Sequence, residues 1–280
     1  MKQFLLKDKP GDDNIVRLTG SDYHYLVRVR RLAAGEFFPA LLPDGNETQI
    51  QIISAGGGTL TGKCQDNKHC ANHQDNICSS SIPPIVLFQA LPKSDKMDLI
   101  TRQAAECGIT EIVPFISEFT AVKKNNDEKK LLRWERIIKE ARQQSGSKTA
   151  TVIHSPVTLK ELFIYWKKIK EERENPDQAI GILFHHPVAD LSSSGEKQTN
   201  RILEQESLHG YLNNDISIAA LAVGPEGGFS EKEVSLFLEN GFKILTIGNT
   251  ILRTETAALY CSAAIRILLL EKDLWELKKT

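Results

Sequence analysis

From Ile85 onward the chain alternates short apolar runs of strand length with amphipathic stretches of helical length, and this alternation constrains the fold more than any other feature. Ile85–Leu91, Glu111–Ile116, Thr151–Ile153, Ala179–Phe184, Ser217–Val223 and Phe242–Ile247 read as strands. Ser94–Cys107, Glu128–Gln144, Thr158–Glu172, Ser230–Asn240 and a last segment from Thr254 read as helices. Met97, Ile100, Ala104 and Cys107 recur near one helical face, and Gly108 ends that helix. Thr158 with Glu161 and Ser230 with Glu233 have the spacing of capping boxes, in which each side chain satisfies an orphan N–H of the first turn. Continuously apolar strands separated by helices predict an α/β domain whose sheet is mainly parallel and covered on both faces. Ligands of such sheets bind beyond the carboxyl ends of the strands.

Residues 1–68 follow a different pattern. Phe4–Leu6, Ile15–Leu18, Phe37–Leu42 and Gln49–Ile53 are apolar pieces of strand length, separated by turn signals at Pro10-Gly11, Pro43-Asp44-Gly45-Asn46 and Gly56-Gly57-Gly58. One or two helical turns are expected over Ser21–Arg31, capped by Ser21 or Asp22. Segment 69–84 is polar, lacks periodicity and ends in two prolines, so it reads as a linker. The expected division is a small β-rich domain with its linker over 1–78 and a second domain over 79–280.

The chain has 280 residues, of which 41% are hydrophobic and 25% charged, which excludes wholesale disorder. No apolar run has transmembrane length and Met1-Lys2-Gln3-Phe4 does not open a signal peptide, so no membrane partner and a cytoplasmic location are expected. Net charge is −1, but residues 1–84, 85–174 and 175–280 net 0, +4 and −5, which permits a local basic face. Five cysteines do not suit a disulfide framework. Cys64, Cys70 and Cys78 bracket His69 and His73, yet no Cys-x-x-Cys pair occurs, and a loop containing thiols is favoured over a zinc site; no metal is expected.

The chain lacks G-x-G-x-x-G, the phosphate-binding G-x-x-x-x-G-K-[ST], G-x-S-x-G and H-E-x-x-H, which argues against dinucleotide enzymes, P-loop nucleotidases and common serine hydrolases. Its glycine loops come late. Gly224-Pro225-Glu226-Gly227-Gly228 lies between a strand and a capped helix, where glycines let a ligand approach the backbone and helix-start amides offer donors. A second loop at the next strand end, Ile247-Gly248-Asn249-Thr250-Ile251-Leu252-Arg253-Thr254-Glu255-Thr256, adds an Arg and a Glu. Each alone could be a ligand-free turn; two on successive strands point to one shared pocket.

The pairing of VGPEGGFSEKEV with LTIGNTILRTETAAL resembles the cofactor-binding signature of the SPOUT methyltransferases, and within them the RsmE family, which methylates N3 of a uridine in small-subunit rRNA. LPKSDKMDLITRQAAECGITEIVPF, RWERIIKEARQQSG and HYLVRVRRLAAGE are similar to further segments of that family, so the resemblance runs over nearly the whole chain. Departures occur at Arg30, at Phe119, at Ser147-Lys148 and in a longer loop over 187–208. The resemblance implies an α/β SPOUT-type parallel sheet with a C-terminal trefoil knot, preceded by a small, barrel-like PUA-like domain that binds RNA. It also implies a homodimer acting on 16S rRNA within the small ribosomal subunit. S-adenosylmethionine would be the cofactor, held by Phe184, His185, Gly224, Pro225, Glu226, Gly227, Gly228, Ile247, Gly248, Leu252 and Thr256.

Methyl transfer to uridine N3 passes through a transition state that gains from a fixed positive charge, and Arg253, permanently protonated, is the candidate catalytic residue. The alternative for Arg253 is a structural ion pair with Glu255 or Glu226, and Glu226 itself could tie the loops together through backbone amides. His185 is read as a pocket-wall residue, and no general base is identifiable. Candidate RNA contacts are His24, Arg28 and Arg31, with Tyr25 nearby, and Lys93, Lys96 and Arg102; for each the alternative is a solvated basic face. Rival functions are ribose 2′-O-methylation by another SPOUT enzyme, and an RNA-binding ribosome-assembly protein without turnover.

Overall fold

In the computed structural model, which describes residues 2–11, 13–65, 82–120, 128–186, 207–212, 215–247 and 250–276, the chain divides into two units. One is Met1–Ile77 with Lys139–Thr149, the other Cys78–Ile138 with Ala150–Thr280. In the first unit, alternation of inward apolar and outward polar residues builds a five-stranded sheet. Its strands are β1 (Phe4–Leu5), β2 (Ile15–Thr19), β3 (Phe37–Leu41), β4 (Glu47–Gly56) and β5 (Thr59–Gln65), in the order β1-β3-β4-β5-β2. Only the β1–β3 pair is parallel. Phe4, Leu26, Phe38, Ile50, Ile52 and Leu60 fill its core.

β5 is a strand that the apolar pieces named over residues 1–68 do not include. Its inward positions are Leu60, Gly62 and Cys64, and only glycine fits the middle one, because a Cβ there would lie 2.5 Å from Ile50 Cγ2. Cys64 therefore belongs to this core, where burial pushes its thiol pKa up. His69, Cys70, His73 and Cys78 lie outside the described residues. The helical turns over Ser21–Arg31 form differently than expected: a short turn, Gly20–Tyr23, runs into a π-helix, His24–Val29. Neither Ser21 nor Asp22 is the cap; Thr19 takes that position without a side-chain bond, and Asp22 accepts instead from Lys139 Nζ at 3.0 Å.

The second unit holds a seven-stranded, wholly parallel sheet. Its strands are β6 (Ile85–Ala90), β7 (Glu111–Ile116), β8 (Val152–Ile153), β9 (Val157–Thr158), β10 (Ala179–Phe184), β11 (Ile218–Val223) and β12 (Phe242–Leu245). The order is β12-β10-β11-β6-β7-β8, with β9 also on β7. Helices Lys96–Glu106, Glu128–Ser145, Leu159–Glu171, Glu231–Glu239 and Thr254–Glu276 start where the sequence places them, to within two residues. Phe88, Phe115, Trp166, Phe237 and Phe242 pack together in the core, mostly edge to face. Emptying one such aromatic site costs about 3–5 kcal/mol.

The strand order places the site. From β6 the chain moves to β7 on one side, whereas β11 leads to β12 on the other, beyond β10. β6 and β11 are nevertheless neighbours, with Gln89 opposite Val223. Connections that diverge from adjacent parallel strands leave a crevice at their carboxyl ends, where open α/β sheets bind ligands.

Candidate active site

Glycine lets the loop after β11 turn back on itself. Gly228 N donates to Pro225 O at 2.9 Å and Gly228 takes φ +72°, a left-handed conformation with nothing within 4 Å of where a Cβ would stand. The neighbouring glycines are close-packed: a Cβ at Gly224 would lie 3.2 Å from the Phe229 ring, and one at Gly227 would lie 2.9 Å from Phe119 Cβ. The loop is thus closed on its protein side and open at Gly228. Ser230 then caps the next helix in the expected capping box with Glu233.

Two further segments are joined to this loop, and the end of β10 lies on the neighbouring strand. At the end of β6, buried Gln89 donates through Nε2 to Ala90 O at 2.8 Å and to Thr254 Oγ1 at 3.0 Å. Thr254, opening the last helix, in turn donates its hydroxyl to Gly224 O at 2.6 Å. Just outside this chain, Glu226 accepts from Lys93 N at 3.1 Å and pairs with Lys96 Nζ at 2.9 Å, and Lys96 also reaches Glu255 at 3.2 Å. Desolvation pulls the Glu226 carboxyl upward, but Lys96 and the backbone donors outweigh it and hold the pKa below the usual range. The hydrogen bond to Glu226, and after it that to Glu255, in turn raise the Lys96 pKa against desolvation.

At the end of β10, His185 N donates to Leu245 O at 3.2 Å and its carbonyl accepts from Thr246 Oγ1 at 2.9 Å, which zips β10 to β12. Burial, helped by the neighbouring His186, lowers the His185 pKa, so the imidazole is neutral at neutral pH. A neutral ring beside the pocket adds no repulsion to a cationic ligand. His186 Nδ1 is buried without a hydrogen-bond partner among the described residues.

The sequence-predicted residues fall into distinct groups. Phe184, His185, Ile247 and Leu252 are half-buried at the ends of β10 and β12 and before the last helix, Pro225 is buried, and Arg253 and Thr256 are exposed. Gly248 lies outside the described residues. Arg253 makes no ion pair among the described residues; the two carboxylates weighed as its structural partners are both taken by Lys96. Glu226 does tie loops through a backbone amide. In the first unit His24, Arg28 and Arg31 are exposed on the π-helix and just after it; in the second, Lys93 and Arg102 are exposed, whereas Lys96 is engaged. Sequence reasoning missed Gln89 and Thr254. The signal for Gln89 was a lone amide inside an otherwise apolar strand, since buried polar groups are there to be hydrogen-bonded.

Known proteins agree with this geometry. Residues 79–266 match the family model of an RNA methyltransferase domain, and residues 18–63 match that of an RNA methyltransferase PUA domain. The chain is 30% identical over 257 residues to the ribosomal RNA small subunit methyltransferase E of Synechocystis, covering 91% of this chain and 73% of that one. It is 30% identical to the enzyme of the same name from Aquifex aeolicus, covering 92% and 95%. A crystal structure of the Neisseria gonorrhoeae enzyme of that name, bound to S-adenosyl methionine, shares the fold with a TM-score of 0.71 at 24% identity, over 96% of this chain and 98% of that one. The diverging strands, the late glycine loop and these matches lead to one assignment: the chain is a methyltransferase and belongs to the ribosomal RNA small subunit methyltransferase E family.

Proposed function

We propose that this chain transfers the methyl group of S-adenosylmethionine to N3 of one uridine in the 16S rRNA of the small ribosomal subunit. It acts in the cytoplasm as a homodimer, with residues 1–78 holding RNA through a PUA-like fold and residues 79–280 forming a trefoil-knotted transferase. The observation that carries the reading is the meeting of the β6, β10 and β12 ends, the glycine loop and the start of the last helix at the divergence of β6 and β11. Tyr260 and Ile267, seven residues apart on the last helix and half exposed, support a second copy as the cover for that face.

The residues present fit the cofactor. The glycine loop is open at Gly228, the neutral His185 does not oppose a sulfonium, and Ile247 and Leu252 offer apolar surface to a base. S-adenosylmethionine would supply an electrophilic methyl group on its sulfonium. The Arg253 guanidinium, unpaired among the described residues, stabilises the negative charge left on the uracil when N3 gives up its proton to water, before N3 takes the methyl group from the sulfonium. Its permanent charge suits it to this and unsuits it as a base. No helix among the described residues is long and apolar enough to cross a membrane.

The test is methylation of small ribosomal subunits lacking this modification by purified protein and S-adenosylmethionine, read by nucleoside mass analysis. The expected product is 3-methyluridine at one site, formed about a hundredfold more slowly by Arg253→Ala. A ribose-methylated nucleoside would replace the substrate assignment. Cofactor binding without any product would leave an RNA-binding assembly protein.

A further inference from the structure

We propose that Lys96, instead of contacting RNA, is a positioning residue that sets the cofactor pocket and the Arg253 guanidinium by joining the glycine loop to the start of the last helix. The inference rests on the transferase reading above. Lys96 opens the helix after β6, and its ammonium stands 2.9 Å from Glu226 in the glycine loop and 3.2 Å from Glu255 in the last helix. The three side chains are between 15% and 30% exposed, enough burial to strengthen their mutual attraction over that of a surface pair. The arrangement carries two negative charges and one positive. A phosphate would meet a net charge of −1 there, which does not recommend Lys96 as an RNA contact.

The same arrangement explains why the cation is needed. Without it, Glu226 and Glu255 would be like charges facing each other, and the loop and the helix start would be driven apart. Beneath the ion pairs lies a second, buried layer: Gln89 to Thr254 to Gly224, joining the same three segments. Arg253 precedes the two residues so held, Thr254 and Glu255. Its backbone is therefore placed by both layers, while its side chain is left exposed and its charge uncommitted among the described residues.

The experiment uses the full-length protein and three variants, with circular dichroism at the assay temperature to establish that each is folded. Calorimetry without RNA measures the S-adenosylmethionine Kd, steady-state assays give kcat and the KM for each substrate, and RNA binding is titrated over a range of salt. Lys96→Met is expected to raise the cofactor Kd about tenfold and to raise the cofactor KM with it. RNA affinity and its salt slope stay as in the wild type. Lys96→Arg is expected to recover most of the affinity, since a guanidinium can bridge both carboxylates. Glu255→Gln is expected to move the cofactor Kd in the same direction but less, and it decides the matter if Lys96→Met does not fold. A structural defect alone would lower the active fraction and leave the cofactor KM unmoved, and that outcome overturns the proposal. An unchanged cofactor Kd with a salt slope reduced by about one overturns it too and makes Lys96 a phosphate contact. Failure of the wild type to bind S-adenosylmethionine would instead sink the transferase reading, and the two failures are told apart by the wild-type control.

Discussion

Two helices of the transferase unit begin with the same local code and end in different situations. Thr158-Leu159-Lys160-Glu161 and Ser230-Glu231-Lys232-Glu233 both form complete capping boxes. At the margin of the sheet, after β9, Glu161 is exposed and its carboxylate closes on Thr158, accepting from its N–H and its hydroxyl at 2.6 and 2.8 Å. In the middle of the sheet, after β11, Glu233 is only 4% exposed. It accepts from Ser230 N at 3.0 Å, and also from Ser117 Oγ at 3.1 Å and Glu118 N at 2.9 Å, both just past β7. A buried carboxylate is tolerable only with such a set of donors. The four-residue pattern decides that a helix starts; the strand order decides whether the same glutamate also binds the chain past another strand end, here that of β7.

The comparison breaks most visibly on truncation. Glu233→Ala leaves three donors without their acceptor and is expected to cost about 3 kcal/mol of stability. Glu161→Ala removes an exposed cap and is expected to cost about 1 kcal/mol. Urea unfolding of both variants checks this, and equal losses would mean that the contacts from Ser117 and Glu118 contribute nothing.

Glycines on either side of the Ser230-capped helix sharpen the comparison at smaller amplitude. Gly228 has φ +72° and Gly241 has φ +83°, and a Cβ at either position would meet nothing within 4 Å. Alanine at each site therefore carries the same left-handed strain, about 1–2 kcal/mol. The positions differ in place, since Gly228 belongs to the glycine loop after β11 and Gly241 follows the far end of the helix. Both variants are expected to lose similar stability, but only Gly228→Ala is expected to weaken S-adenosylmethionine binding. A matched loss of affinity at Gly241 would show that the loop acts through general stability and not through its open backbone.

Much of this was legible in the residues because the signals were local. Apolar runs bounded by turn chemistry located six of the seven strands of the parallel sheet, all but the two-residue β9, and both capping boxes formed as the spacing required. Glycines crowded into one strand-to-helix connection marked the loop. What stayed hidden was non-local. Lys93 and Glu226 lie 133 positions apart, and nothing in either neighbourhood announces the other. Lys96 reads as a candidate RNA contact because its two carboxylates arrive from a loop and a helix that only the strand order brings together. Strand β5 was hidden for a different reason: its inward row includes Gly62, so the hydrophobic alternation on which strand reading depends is interrupted where packing against Ile50 demands no side chain.

Acid titration offers the finest separation of middle from margin, because each region holds one carboxylate below its usual pKa of 4.5. In the middle it is Glu226, held down by Lys96 and by backbone donors against the pull of desolvation. At the margin it is Glu111, held down first by the hydrogen bond to His154 at 2.8 Å and, against desolvation, by the hydroxyl of Tyr165. In both cases the native state binds fewer protons than the unfolded chain in mild acid, so stability rises with pH there. The contribution is complete above the usual value and is lost as pH falls through the depressed native one. Glu226→Gln and Glu111→Gln should each flatten the acid limb of the stability profile slightly, since partly exposed pairs are screened by solvent. The cofactor discriminates between them. Affinity for S-adenosylmethionine should fall in acid in the wild type and in Glu111→Gln alike, whereas Glu226→Gln should start weaker and lose most of that dependence. If Glu111→Gln flattened the affinity profile instead, the margin of the sheet would be coupled to the pocket, and the division of labour between the two capping boxes would have to be abandoned.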